Sequence, residues 1–176
     1  LSYYKCSSNP TYLYALRSIF QSKLSLSDQW VVLSCISKFI REMVLRPKSS
    51  VILETIVCLF DKTILKGTEQ QILTQATKLI KKKCGMHLVE KIILTNCPGT
   101  YEEFIETFKS VNKDISLEDV KTHYKRLQKH FDSQHAHSIL RSLISEVSSQ
   151  IYEFIEMKNG AYLISTLINK FESFSS

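Results

Sequence analysis

A chain of 176 residues with 44% apolar and 23% charged side chains has the makeup of one globular domain able to bury a sizeable core, and not that of a disordered or fibrous segment. Its formal charge of +6 favours an acidic partner, whether nucleic acid, an anionic membrane or an acidic protein surface, without choosing among them. Apolar stretches are broken by charge every turn or two, well short of the ~20 residues of a membrane span, and no leader pattern is present.

Glycine and proline are scarce, and the helices are read from caps and apolar periodicity. Asn9-Pro10 is a cap followed by a first-turn proline, and Tyr12, Leu13, Leu16, Ile19 and Phe20 form the stripe behind it. Ser25 with Asp28 resembles a capping box that opens a long apolar run, Trp30 to Leu45, expected to be a central helix ending before Pro47. Ser49 or Ser50 then starts a helix that Gly67 closes, and Thr68 starts one that Gly85 closes. Leu88, Val89, Ile92 and Ile93 mark a short helix before Pro98-Gly99, and Thr100 with Glu103 is a full capping box for the next. Ser116 opens a helix with Val120, Tyr124, Leu127 and Phe131 on one side. The stretch from Ser133 to Met157 is one long helix or two broken near Ser148-Ser149. Asn159-Gly160 ends it, and Tyr162 to Phe171 is the last. No segment alternates with period two, so the expected fold class is all-α. It is expected to be a single domain over residues 1–176 with about nine helices, either a multi-helix bundle or an irregular helical array of the α-solenoid or HEAT-like kind.

A period points toward the array. The run 50–57, SVILETIV, lines up with 86–93, MHLVEKII, at a shift of 36, and 160–164, GAYLI, is a further relative of 85–89, GMHLV. This pattern resembles the Pumilio (Puf) repeat, in which a helix of the form G-x-x-hydrophobic-hydrophobic-x presents base-reading side chains. The resemblance implies that Ser50 with Glu54, and Met86 with Glu90, face a base edge, and that Val51 and His87 occupy the stacking position. It covers about two units. The stretch 97–135 does not keep the period, and most of the basic and aromatic stacking residues of such readers are missing.

Five cysteines, at 6, 35, 58, 84 and 97, form no C-x-x-C pair and suggest neither a zinc site nor a disulfide framework, which fits a reducing, intracellular compartment, nuclear or cytoplasmic. The start at Leu1 rather than Met reads as a part of a longer protein. Lys78, Lys81, Lys82 and Lys83 form a basic helix end that complements the macrodipole. Lys121, Lys125, Arg126 and Lys129 line one side of another helix, and together the two clusters offer a face for phosphates or an acidic partner. The histidines at 123, 130, 135 and 137 match no metal-binding spacing, so no metal or cofactor is expected. No nucleophile elbow, phosphate-cradling loop or paired general acid and base is present, so no enzyme and no small-molecule substrate are expected. Tyr3, Tyr4, Tyr12 and Tyr14 at the front, with Phe171 and Phe174 at the back, are candidates for a protein interface. The expected function is a non-catalytic scaffold that binds another protein subunit in a larger complex. The alternative is an RNA- or DNA-binding helical repeat acting through the lysine-rich face.

Overall fold

The structure is a computed structural model that describes residues 10–97, 99–111 and 115–175. Among them every regular element is helical: α1 (Pro10–Gln21), α2 (Leu26–Ile36), a 3₁₀ turn (Ser37–Phe39), α3 (Ile40–Met43), α4 (Pro47–Leu59), α5 (Lys62–Leu73), α6 (Ala76–Ile80), α7 (Lys83–Asn96), α8 (Tyr101–Val111), α9 (Leu117–Lys129), α10 (Ser133–Ser149), α11 (Ile151–Glu156) and α12 (Gly160–Ser175). The all-α class therefore holds.

The element boundaries repeat. α5, α6 and α7 begin at 62, 76 and 83, each 36 residues beyond the starts of α2, α3 and α4. α11 begins 75 residues beyond α6, α10 spans the positions 75 beyond α5, and α12 begins two residues later than a shift of 75 from α7 would place it. Three units follow, over 26–61, 62–97 and 137–172, each a long helix, a short helix and a second long helix. α4 lies alongside α7, α1 lies on the other side of α4, and α10 packs on α6, α7 and α12. The extra residues between the second and third units hold α8 and α9. These two helices pack on each other, and α8 also packs on α4.

The corner between the short and second long helices is the same in all three units. Arg46, Lys82 and Met157 stand there with extended backbones, at φ/ψ of −111/123°, −118/137° and −80/132°. Their amides donate to the carbonyls of Met43, Leu79 and Phe154, at 3.2, 2.9 and 3.2 Å. In the second and third units the next helix then passes so close over the short one that there is no room for a side chain near its start. A Cβ on Gly85 would overlap the Leu79 carbonyl, and one on Gly160 would overlap the Phe154 carbonyl, six residues back in both cases. In the first unit Ser49 takes this place and is buried.

Several expected boundaries are corrected by this geometry. Gly85 and Gly160 stand at helix starts, and neither ends a helix. Gly67 lies inside α5, because Asp61 caps that helix through the Thr63 amide at 2.9 Å. α4 opens at Pro47, its first-turn proline, rather than at Ser49 or Ser50. The 68–80 stretch breaks at Thr74-Gln75, whereas the 133–157 stretch divides in two at Gln150, as the expected break near Ser148-Ser149 has it. The run from Trp30 to Leu45 is no single central helix. It breaks at the 3₁₀ turn, and before the break only Leu33 and Ile36 are core while Trp30 and Val31 are 56% and 60% exposed. At Thr100 the expected capping contact is present. Its hydroxyl accepts from the Glu103 amide at 3.3 Å, and the Glu103 carboxylate also accepts from Lys170 at 2.9 Å. The Asn9 cap and Pro98 lie outside the described residues.

The core runs continuously through the units. Ile52, Leu88 and Leu163 recur at one position, and Ile56, Ile92 and Leu167 recur one turn later, all buried. Phe104, Phe108, Val120 and Leu127 of α8 and α9 join it from the side of the C-terminal ends of α4 and α7.

A candidate nucleic-acid interface

The second long helices α4, α7 and α12 present one register of side chains outward. Val51, His87 and Tyr162 occupy equivalent positions, and all three are exposed, Tyr162 at 62%. One turn further on come Glu54, Glu90 and Ser165. The Glu54 carboxyl is pushed up by burial, against the opposing charges of Lys91, His87 and Arg17. His87 Nδ1 lies 3.2 Å from Glu90. The other pair implied by the Puf resemblance does not reach this face. Ser50 is 0% exposed, with its hydroxyl donating to the Cys84 carbonyl at 3.2 Å, and Met86 is 2% exposed. Both are consumed in packing one unit on the next. Between α7 and α12 the face opens into a groove of about 250 Å³, lined by Glu90, Ile93, Glu106, Tyr162, Thr166 and Lys170.

The N-terminal rim of this face is built from the three corners. Lys82 Nζ reaches the Leu45 carbonyl at 3.3 Å in the first corner, and Lys81 pairs with Glu153 beside the third at 2.6 Å. Lys78, Lys81, Lys82 and Lys83 therefore share an edge with Arg41, Arg46 and Lys48, all exposed, which lie one 36-residue unit earlier and so are not linked to the lysine run by local spacing. The position of Val51, five residues into α4, puts the exposed row only ~8 Å from the rim along the helix.

The second cluster lies elsewhere. Lys121, Lys125 and Lys129 are exposed along α9, but Arg126 turns inward, donating to the Leu59 carbonyl at 3.2 Å and to His123 Nδ1 at 2.9 Å. Leu59 ends α4 and the corner precedes its start, so the two clusters stand at opposite ends of a 13-residue helix, ~20 Å apart. The structure does not bring them onto one face.

Of the candidate protein-interface residues, Tyr14 is 70% exposed, whereas Phe171 is half-buried against the core. Tyr3, Tyr4 and the side chains of Tyr12 and Phe174 lie outside the described residues.

His123 and His135 serve the fold. Burial, then the Arg126 charge, pulls His123 down to about 4, so it accepts from Arg126 as a neutral ring. His135 lies 3.3 Å from Glu69, which is fully buried and also paired with Lys62. Burial acts to raise the Glu69 carboxyl, but Lys62 and hydrogen bonds from His135, Lys62 and Asn96 outweigh it and hold it below its ordinary value. Lys62 also donates to Thr95 at 2.7 Å, so the network ties α5 to α7 and α10. Sequence periodicity hides it, because Glu69 looks like one more polar residue of a helix start. No group of three metal-binding side chains occurs among the described residues. No helix among them is long and apolar enough to cross a membrane.

Compared with protein-family models, with curated proteins and with solved structures, the chain finds no match.

Proposed function

We propose that this chain is a non-catalytic helical-repeat domain that binds single-stranded nucleic acid, RNA foremost, across the outward face of α4, α7 and α12. The observation that carries the reading is the shared register of Val51, His87 and Tyr162 beside a rim of lysines and arginines. The two rings can stack on splayed bases, and the carboxylates of Glu54 and Glu90 can accept from base N–H groups. The rim keeps cations where a sugar–phosphate backbone would run, away from those carboxylates. Single strands fit better than duplex, whose stacked bases offer no face to the rings. The Puf resemblance of the same helices points the same way, with the base-edge role narrowed to Glu54 and Glu90.

The test is fluorescence anisotropy with a labelled single-stranded RNA of mixed sequence over a range of salt. Binding should weaken steeply as salt rises, and duplex DNA should compete poorly. Tyr162→Ala and His87→Ala should each weaken binding about tenfold, the loss of one stacked base. Lys82→Glu with Lys83→Glu should flatten the salt dependence, while Lys121→Glu with Lys125→Glu should leave it unchanged. No binding even at low salt would refute the reading.

A second reading, a scaffold for another protein subunit, is favoured by large apolar side chains exposed at the end of the array, among them Tyr152 at 84%.

A further inference from the structure

Position-by-position comparison of the three units singles out one surface. Val44, just past α3, and Ile80 of α6 are 0% and 1% exposed, but Ile155, their equivalent on α11, is 60% exposed. Val57 of α4 and Ile93 of α7 are 0% and 1% exposed, but their equivalent Ile168 on α12 is 50% exposed. Leu53 and Val89 are fully buried and Ile164 is only half-buried. Ser50 and Met86 are buried and Ala161 is exposed. The positions of α12 that point into the unit itself behave otherwise, since Leu163 and Leu167 are as buried as their counterparts. The exposure is therefore directional. It falls on the face that the first and second units turn toward the unit that follows.

The fold also shows what covers that face. On the first unit it is covered by α5 packed on α3 and α7 packed on α4, with the Ser50 hydroxyl bonded to the Cys84 carbonyl and the Gln71 amide donating to the Ser37 carbonyl at 2.9 Å. On the second unit α10 packs on α6 and α7. The third unit keeps branched aliphatic residues at Ile155, Ile164 and Ile168, the chemistry of the two covered interfaces, where a terminal repeat turned to water carries polar residues. We infer that the face formed by Ile155, Ala161, Ile164 and Ile168 is a unit-to-unit interface. Its occupant is a partner presenting a helical unit of this same 36-residue build, seated as the second unit sits on the first. This holds whatever the outward face binds.

The test extends the chain with a unit already known to fit such a face. Placing a copy of residues 62–97 directly after residue 172 continues the 36-residue spacing, and a second version uses a copy of 137–172. At least one extended chain should show added helical ellipticity, a raised urea midpoint, and slowed amide exchange at Ile155 and Ile168. Ile155→Glu with Ile168→Glu should abolish those gains while leaving the midpoint of the unextended chain unchanged, because both residues are already wet there. If both added units are trimmed away by protease with no change in midpoint or exchange, the inference fails. It fails also if the unextended chain sediments as a dimer that Ile168→Glu returns to monomer, since the face would then belong to a second copy of the chain.

Discussion

Replacing Glu69 with glutamine keeps the shape of a fully buried side chain and removes its charge. The carboxylate faces Lys62 on one side and His135 on the other, with side-chain exposures of 11% and 10%. Removing one partner of a buried ion pair costs about 3–5 kcal/mol, chiefly because the other charge is left unpaired in a poor solvent. Lys62 retains some contact with water and its hydrogen bond to Thr95, so the lower end, about 3 kcal/mol, is expected for Glu69→Gln. For a chain of this size that amounts to a fall in Tm of about 6–12 °C. The pH dependence has a definite sign. The folded carboxyl titrates below its ordinary value of 4.5, so its contribution is fully present above that pH and is lost as pH falls through the folded value. Urea titrations of the wild type and Glu69→Gln should therefore differ most at neutral pH and converge in acid. The double variant Lys62→Met with Glu69→Leu should recover to within about 1 kcal/mol of wild type, because both charges then leave together. A loss below about 1 kcal/mol in the single variant, or a gap that stays constant into acid, would refute the account, since it would mean that the pair is solvated.

Gly85→Ala and Gly160→Ala should each cost about 2–3 kcal/mol, because the added methyl meets a backbone carbonyl that cannot move without shifting a helix; Gly67→Ala, with nothing near it, should stabilise by about 0.5–1 kcal/mol, all read by urea midpoints. His123 should reveal itself in a higher pH window than Glu69. Its folded pKa of about 4 lies below the ordinary 6.5, so stability is lost as pH falls through that interval, and His123→Gln should flatten the profile there. Thiol labelling of the native protein should modify exposed Cys35 quickly and leave Cys58 and Cys97 untouched until unfolding, since burial pushes both up to about 12; fast labelling of either would overturn that placement.

The helices and their apolar faces were legible because caps and periodicity act locally. Ser25 and Ser116 each accept from an amide three residues on, which needs no tertiary information, whereas the equally local caps Asp61 and Asp132 stand where Gly67 and Ser133 draw the boundary instead. The glycines misled because a glycine can mark either a left-handed residue or a close backbone approach. Among the described residues no glycine has a positive φ, and Gly85 and Gly160 are of the second kind, which only the neighbouring short helix reveals. The break after Ile36 was invisible for a similar reason. No proline or glycine marks it, and the turn is set by the unit's corner geometry. The 36-residue shift could be read from 50–57 and 86–93, but α8 and α9 interrupt it before the third unit. As for the site, Val51 and His87 were legible as outward positions, whereas the burial of Ser50 and Met86 follows from how tightly successive units pack. The separation of the two basic clusters depended on where α9 folds back, which no local pattern encodes.

The folding-back of α9 and the start of α10 also bears on how the molecule comes apart. In a plain array each unit touches only its neighbours, so stability is a sum of local terms and ends can fray independently. Here Arg126 reaches Leu59, Asp132 pairs with Lys66, and His135 meets Glu69, contacts that close chain loops of 66 or 67 residues. These closures bind the first two units to a segment synthesised much later, so neither of those units can separate from α9 and the start of α10 without breaking them. The chain should therefore melt as one block rather than in steps, and should refold more slowly than its wholly helical content would suggest, because long loops must close before the contacts that reward them can form.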